Sequence, residues 1–282
     1  MLTLMPSIHI EQHFSISNSC WPREGFLIND ILNIAILVCF HPSRSHYHIK
    51  SIVPIATMSS VTESSEWEPK AIVFDLLTAL LDSWSLWDMS TPSASSAEGR
   101  PWRERYLELT FGAGAYVPYE DLAKKAAREV GLPESAPMTL IRDWNTLQTW
   151  PETAGVVHQL KHKGYKLGVV TNCSSYLGHI AARRVVEQVG REGQEDVFDA
   201  VITAEESGFY KPVEQAYNAV LSAMSLEARD VLFVAGSAGD VEGATKAGMR
   251  VVWHNRVGLS KKGEAVPLRE ARTLDGALKD FI

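Results

Sequence analysis

The chain has 282 residues, of which 45% are hydrophobic and 22% charged, and its net charge is −7. This balance is typical of a soluble globular protein with one large or two modest domains, and it argues against nucleic acid or a membrane as a partner. The three cysteines are Cys20, Cys39 and Cys173, and they lack the spacing of metal ligands. Because cysteines are this sparse, we expect a reducing compartment, the cytoplasm.

Residues 1–66 differ from the rest of the chain because they lack a clear hydrophobic periodicity. Their apolar segment, 26–40, contains Asp30 and is shorter than the ~20 residues that a transmembrane helix needs. We expect a poorly ordered extension, with a membrane anchor or a helix packed on the body as alternatives. A translation start at Met58 would remove most of it.

From residue 67 onward, apolar strands alternate with amphipathic helices. Apolar segments predict buried strands at 71–76, 165–172, 199–206, 230–237 and 250–255. Helical patterns connect them at 152–163, 212–225 and 240–248. The alternation predicts an α/β fold, with a Rossmann-like parallel sheet covered by helices on both faces. Ligands of such sheets bind at the carboxyl ends of the strands, where this chain places small and polar residues.

A long insertion separates the first two strands. Residues 86–149 include a loose Ser- and Pro-containing segment at 90–101, which is followed by three helical patterns. They predict a helical cap, which leaves 67–85 and 150–282 for the α/β core. Five tryptophans lie in or beside the insertion, and we expect them to pack in the interior, with an apolar substrate pocket as the alternative. They are Trp84, Trp87, Trp102, Trp144 and Trp150.

Four motifs follow one another on these elements. Asp75 ends the first strand, Thr171 and then Asn172 end the second, Lys211 precedes a helix, and Asp240 opens a helix after a loop of small residues. This order resembles the haloacid dehalogenase superfamily over about residues 68–282. The resemblance implies that Asp75 is a nucleophile forming a covalent ester, a route that divides one difficult step into two.

The resemblance also implies roles for the other motif residues. Lys211 would keep Asp75 ionised, and Asp240 would anchor Lys211 or a metal ion. Thr171 and the backbone N–H groups after it would donate hydrogen bonds to an anionic group of the substrate.

Leu77 distinguishes between branches of this superfamily. The phosphatases carry a second Asp at that position, which protonates the leaving group, and an acid at the position of Gly236. A halide leaving group needs no proton, and the sequence most resembles the L-2-haloacid dehalogenases. In that comparison Arg103, in the segment "WRERYLELT" (102–110), would bind the halide together with Asn172, and Tyr217 matches a tyrosine six residues after Lys211.

The sequence also departs from the dehalogenase motifs. Those enzymes carry an aromatic residue, Gly and Thr where this chain has Leu77, Thr78 and Ala79, so a hydroxyl is shifted or lost. They carry Ser-Ser-Asn where this chain has 235–237, which ends in Ser237. We expect a reshaped pocket, because positioned donors determine how well an anionic transition state is stabilised.

Three functions remain open from the sequence. The first is a cofactor-free hydrolase of the 2-haloacid dehalogenase type acting on a small organic acid. The second is a Mg²⁺-dependent phosphatase in which Asp75, the Leu77 carbonyl and Asp240 hold the ion. The third is a non-hydrolytic enzyme or a binding protein that uses the same cleft. Each has a small-molecule ligand, and a homodimer is open alongside a monomer.

Overall fold

The computed structural model describes residues 67–190 and 197–282. These residues form a six-stranded parallel sheet with the order β3-β2-β1-β4-β5-β6. The strands are β1 (Ala71–Phe74), β2 (Lys166–Thr171), β3 (Ala200–Thr203), β4 (Val231–Ala235), β5 (Arg250–His254) and β6 (Arg269–Ala271). The predicted α/β fold is confirmed. The predictions for residues 1–66 lie outside the described residues.

Helices connect the strands and cover the sheet. Between β1 and β2 lie α1 (Ser83–Met89), α2 (Ser96–Ala113), α3 (Tyr119–Glu129), α4 (Ser135–Arg142), a 3₁₀ turn (Trp144–Thr146) and α5 (Thr153–His162). The later helices are α6 (Ser175–Val189), α7 (Ala204–Ser207), α8 (Glu214–Met224), α9 (Ala238–Lys246) and α10 (Leu274–Leu278), with a 3₁₀ turn at Ala228–Asp230. Within residues 67–190 and 197–282, no helix is long and apolar enough to cross a membrane.

The strand order explains why one edge of the sheet can hold a site. The chain runs from β1 outward through β2 and β3, then returns to place β4 on the other side of β1. Phe74, the last residue of β1, pairs with Val169 of β2 and with Val234 of β4, and both neighbouring strands continue beyond this level, to Thr171 and Ala235. The reversal opens a crevice beside the carboxyl end of β1, which is where parallel sheets bind ligands.

The structure differs from the predicted elements at three places. The predicted strand 199–206 ends at Thr203, because Thr203 and Glu206 form a capping box that starts α7. Helix α2 begins at Ser96 and continues through Pro101, in a segment that we expected to be a loose loop. Strand β6 was not predicted, since it has three residues and is only partly buried.

Candidate active site

Asp75 directly follows β1 and is almost fully buried. Its backbone N–H donates to Val234 at 3.0 Å, which continues the pairing with β4 and fixes where the side chain emerges. Oδ1 accepts a hydrogen bond from Lys211 Nζ at 2.8 Å. Oδ2 accepts from the backbone N–H of Thr78 at 3.1 Å and also from the Thr78 hydroxyl. The carboxylate therefore has three donors, which repays its removal from water.

Lys211 joins Asp75 to Asp240. The ammonium group lies 2.8 Å from Asp75 Oδ1 and 3.0 Å from Asp240 Oδ2, and all three side chains are buried. The hydroxyls of Ser237, the N-cap residue of α9, and of Tyr217, on α8, each donate to Asp240 at 3.0 Å. The structure thus brings together residues at the end of β1, before and on α8, and at the start of α9, which are up to 165 positions apart in the sequence.

The surroundings push the pKa values of the two carboxyl groups apart. Burial raises the pKa of Asp75, but the charge and hydrogen bond of Lys211 and the two Thr78 donors outweigh burial, so the pKa lies below its ordinary value. Burial outweighs the attraction of Lys211 at Asp240, whose pKa lies above its ordinary value. The pKa of Lys211 is raised despite burial, because two carboxylates face it. Such a separation is typical of carboxyl groups with different chemical roles.

The side chain of Asn172 forms two hydrogen bonds with the backbone of Lys211. Its Nδ2 donates to the Lys211 carbonyl at 2.9 Å, and its Oδ1 accepts from the Lys211 N–H at 2.7 Å. Asn172 therefore fixes the backbone that carries the ammonium group. The neighbouring Thr171 does not line the cavity described below, but its hydroxyl is buried and has no hydrogen-bond partner among the described residues.

Arg103 is a buried cation that forms no hydrogen bond to a carboxylate among residues 67–190 and 197–282. It lies on α2, and its guanidinium carbon is 5.0 Å from the ring centroid of Trp84 and 5.1 Å from that of Trp87. Within the described part of the chain, Nε and Nη1 have no hydrogen-bond partner. Burial lowers the pKa of Arg103, although an arginine remains charged in proteins. An anion at this guanidinium would supply the missing partner.

A small, partly open cavity connects Arg103 with the carboxylate cluster. Its volume is about 20 Å³, close to that of one water molecule. Most of the candidate residues that the sequence indicated lie on its wall: Asp75, Leu77, Arg103, Asn172, Lys211, Ser237 and Asp240. Tyr217 does not line the cavity and donates a hydrogen bond to Asp240 from behind.

Four further residues line the cavity without having been predicted as site residues. Thr78 follows Asp75, whereas Tyr106, Leu107 and Phe111 lie on α2. These three positions are three, four and eight residues after Arg103 and share its helix face, so helical spacing from Arg103 could have indicated them. None of the five tryptophans lines the cavity as the described residues form it, and Trp87, Trp102 and Trp144 are fully buried in the interior.

The contacts around Asp75 compete with the magnesium site that the phosphatase alternative requires. The Lys211 ammonium occupies the position between Asp75 and Asp240 that a shared cation would need. The Leu77 carbonyl, the third expected ligand, accepts a hydrogen bond from the buried hydroxyl of Ser83. Among the described residues, no group of three or more His, Cys, Asp or Glu side chains has the arrangement of metal ligands.

The fold and the cavity together define a class of α/β enzymes with a carboxylate at the end of the first strand and helices inserted after it. The family model described as haloacid dehalogenase-like hydrolase matches residues 72–254, and the chain belongs to that family. The resemblance seen in the sequence is thereby confirmed at the level of the superfamily.

Individual relatives define the branch. Haloacetate dehalogenase H-2 of Moraxella sp. (strain B) is 28% identical over 203 residues, which cover 68% of this chain and 88% of that protein. The crystal structure of the L-2-haloacid dehalogenase RSc1362 is 26% identical with a TM-score of 0.65, covering 76% of this chain and 99% of that one. Phosphatase MT3486 of Mycobacterium tuberculosis (strain CDC 1551 / Oshkosh) is 30% identical over 163 residues, or 57% of this chain and 72% of that protein. The chain is thus similar mainly to dehalogenases, with a phosphatase also among its relatives.

Proposed function

We propose that this protein is a 2-haloacid dehalogenase in which Asp75 displaces a halide from carbon. Arg103 is the observation that carries the proposal: a buried guanidinium with unpartnered N–H groups lines the same small cavity as the ionised Asp75. An unpaired buried charge is costly, and a bound anion would offset that cost. A carboxylate nucleophile and a cation on one cavity wall suit a small anionic substrate that releases an anion. Because the cavity holds only about one water molecule, the side chains around it have to move apart when such a substrate binds.

The hydrogen bonds of Asp75 indicate which oxygen attacks. Oδ2 already accepts two hydrogen bonds, both from Thr78, whereas Oδ1 accepts one from Lys211 and retains a lone pair. Oδ1 forms a bond to carbon 2 of the 2-haloalkanoate while the carbon–halogen bond breaks. The bonding electron pair leaves with the halide, which Arg103 receives. Attack opposite the leaving group inverts carbon 2 and produces an ester of Asp75.

Asp240 is the general base that hydrolyses this ester. Once Asp75 is esterified its charge is gone, and Asp240 is the remaining carboxylate beside Lys211. A raised pKa makes Asp240 a better base than an ordinary aspartate, so it takes a proton from the attacking water. Water adds to the ester carbonyl carbon, the bond to the alkyl oxygen breaks, and Asp240 returns the proton to that oxygen. The net reaction converts 2-haloacid and water into 2-hydroxyacid, halide and one proton.

Leu77 is consistent with this chemistry. It lines the cavity two residues after Asp75, and it carries no proton to donate. A halide leaves as a stable anion, whereas the alkoxide of a phosphate ester requires a general acid. Thr171, the donor that the sequence predicted for an anionic group of the substrate, does not line this cavity, and we assign it no contact with the substrate.

The relationship to a phosphatase makes phosphate-ester hydrolysis the second candidate. It needs a metal ion at a position that Lys211 occupies, and a general acid where Leu77 stands. Assays on generic phosphate esters with added Mg²⁺, with and without EDTA, test it. EDTA-sensitive turnover at rates above those on haloacids would favour this candidate.

Halide release from 2-chloropropionate and chloroacetate tests the proposal directly. We expect wild-type activity, its loss in Asp75→Asn, and normal activity in Asp121→Asn, a matched control on an exposed aspartate. In a single turnover in ¹⁸O-labelled water with enzyme in excess, the label should enter the Asp75 carboxylate and be absent from the product. Label found in the product instead would mean that water attacks carbon 2 directly, and no halide release from a panel of 2-haloacids would reject the dehalogenase assignment.

A further inference from the structure

We infer that Thr78 is the positioning residue of Asp75 and that Gly236 is the space-making partner which Thr78 requires. The inference rests on the proposed role of Asp75 as nucleophile. Thr78 would hold Oδ2 in a fixed place, so that Oδ1 remains the attacking atom. The pair would thereby supply the positioned hydroxyl that the comparison with the dehalogenase motifs indicated was shifted or lost.

The contacts of Thr78 support a fixed position. Its N–H and its hydroxyl both donate to Asp75 Oδ2, and its side chain is only 4% exposed. Its carbonyl accepts a hydrogen bond from Trp150 Nε1 at 3.0 Å. The backbone N–H groups of Leu80 and Leu81 both donate to the Leu76 carbonyl at 3.2 Å, which closes the turn around Thr78. Rotation of the Asp75 carboxylate would break two hydrogen bonds to a well-anchored residue.

Gly236 provides the space in which the Thr78 hydroxyl sits. A Cβ atom at position 236 would lie 2.2 Å from Thr78 Oγ1, 2.6 Å from Asp75 Oδ2 and 2.6 Å from the Ala79 nitrogen. All three distances are far below van der Waals contact. The φ angle of Gly236 is outside the left-handed region, so an alanine is excluded by its side-chain atom and not by its backbone conformation.

At both positions this chain carries a different residue from the dehalogenase motifs described above. Those motifs have Gly at the position of Thr78 and Ser at the position of Gly236, whereas this chain has a hydroxyl at 78 and no side chain at 236. One departure is therefore the steric condition for the other. The geometry accounts for Thr78 and Gly236 as one coupled change.

Four variants test the pair. Thr78→Val keeps the shape and the N–H but removes the hydroxyl, and kcat/KM for 2-chloropropionate should fall by about 10- to 100-fold, the range for a hydrogen bond to a charged group. Thr78→Ser should retain activity within about threefold. Gly236→Ala should fall as far as Thr78→Val, because its Cβ displaces the hydroxyl. The double variant Thr78→Gly/Gly236→Ala should be less active than Thr78→Gly alone, because a Cβ at 236 still lies 2.6 Å from Asp75 Oδ2 and from the Ala79 nitrogen after the hydroxyl is gone.

The pH profile separates positioning from a merely structural role. Loss of a donor to the ionised form raises the pKa of Asp75, so the acid limb of kcat/KM should move to higher pH in Thr78→Val and Gly236→Ala but not in Thr78→Ser. An unchanged acid limb and unchanged kcat/KM in Thr78→Val would overturn the inference. Equal loss in Thr78→Ser and Thr78→Val would also overturn it, and neither result depends on Gly236→Ala folding.

A measurement without substrate keeps this test separate from the proposed function. ¹³C NMR titration of aspartate-labelled protein, with Asp75 assigned through Asp75→Asn, should show a higher pKa for Asp75 in Thr78→Val than in wild type. This result would support the positioning role even if no 2-haloacid were a substrate. Identical titrations would reject the positioning role even in an active dehalogenase.

Discussion

The Lys211→Met variant should reveal how strongly the site depends on its central cation. The ammonium group lies 2.8 Å from Asp75 and 3.0 Å from Asp240. At an effective dielectric constant of about 20, each attraction is roughly 6 kcal/mol, before repulsion between the carboxylates and the cost of desolvation are subtracted. Breaking a buried ion pair by removing one partner typically costs about 3–5 kcal/mol. We expect a loss of that size in the free energy of unfolding at pH 8, together with loss of halide release.

The pH dependence of that loss has a definite sign. In wild type the lowered pKa of Asp75 contributes stability above its unfolded pKa, and this contribution disappears as the pH falls through the folded value. In Lys211→Met burial raises the pKa of Asp75 and Asp240 together, so protonation relieves the penalty at lower pH. The difference between wild type and variant should therefore be larger at pH 8 than at pH 5.

Urea unfolding at both pH values measures this difference, and a surface lysine provides the control. Lys70 pairs with Asp230 at 2.9 Å, but its side chain is 66% exposed, so Lys70→Met should cost less than about 1 kcal/mol at either pH. Equal losses in Lys211→Met and Lys70→Met, or a loss in Lys211→Met that does not change with pH, would refute the electrostatic reasoning.

Three further predictions follow from the cavity. Arg103→Met should lower kcat/KM at least about 100-fold, the scale on which removal of one charge-stabilising donor acts, yet leave the urea midpoint unchanged or higher. Tyr217→Phe removes a donor to Asp240, and mass spectrometry of the protein in steady state should then detect more covalent adduct on Asp75, because hydrolysis slows more than ester formation. Phe111 lines both the inner cavity and an open pocket of about 430 Å³. Phe111→Ala should therefore raise kcat/KM for longer 2-bromoalkanoates relative to 2-bromopropionate, with a smaller change in Phe111→Leu.

The sheet was predictable because its central strands are continuous apolar runs. Strands β1 and β4 are buried along their whole length, and such runs between helical patterns indicate a parallel sheet. The short elements depend on interactions that periodicity does not show. Thr203 starts a helix because Glu206 returns a hydrogen bond to it, and β6 is a three-residue edge strand that gains its pairing only from β5.

Asp75 and Asp240 could be expected to lie close together because each comes after a strand at the same edge of the sheet, whereas Lys211 was indicated by the resemblance to the haloacid dehalogenase superfamily. The hydrogen bonds of Asn172 could not be expected, since its amide partner is 39 residues away and is a backbone segment. The role of Gly236 could not be predicted from the sequence either. In the sequence it is a missing side chain, and only the position of Thr78 Oγ1 shows that the space is used.

The charges of the cavity argue against a fold kept only for binding or stability. Lys211 balances Asp75 and Asp240 through direct contacts, but Arg103 has aromatic rings beside it and N–H groups without a partner among the described residues. Apolar residues of similar volume would stabilise that position at least as well. The Arg103 cation becomes stabilising only when an anion binds beside it. That anion must be part of the substrate or must form during the reaction. The ionised Asp75 on the same cavity wall would repel a permanent anionic ligand, but it would attack one whose leaving group departs toward Arg103. The same arrangement that weakens the resting protein therefore favours the separation of charge in a displacement at carbon.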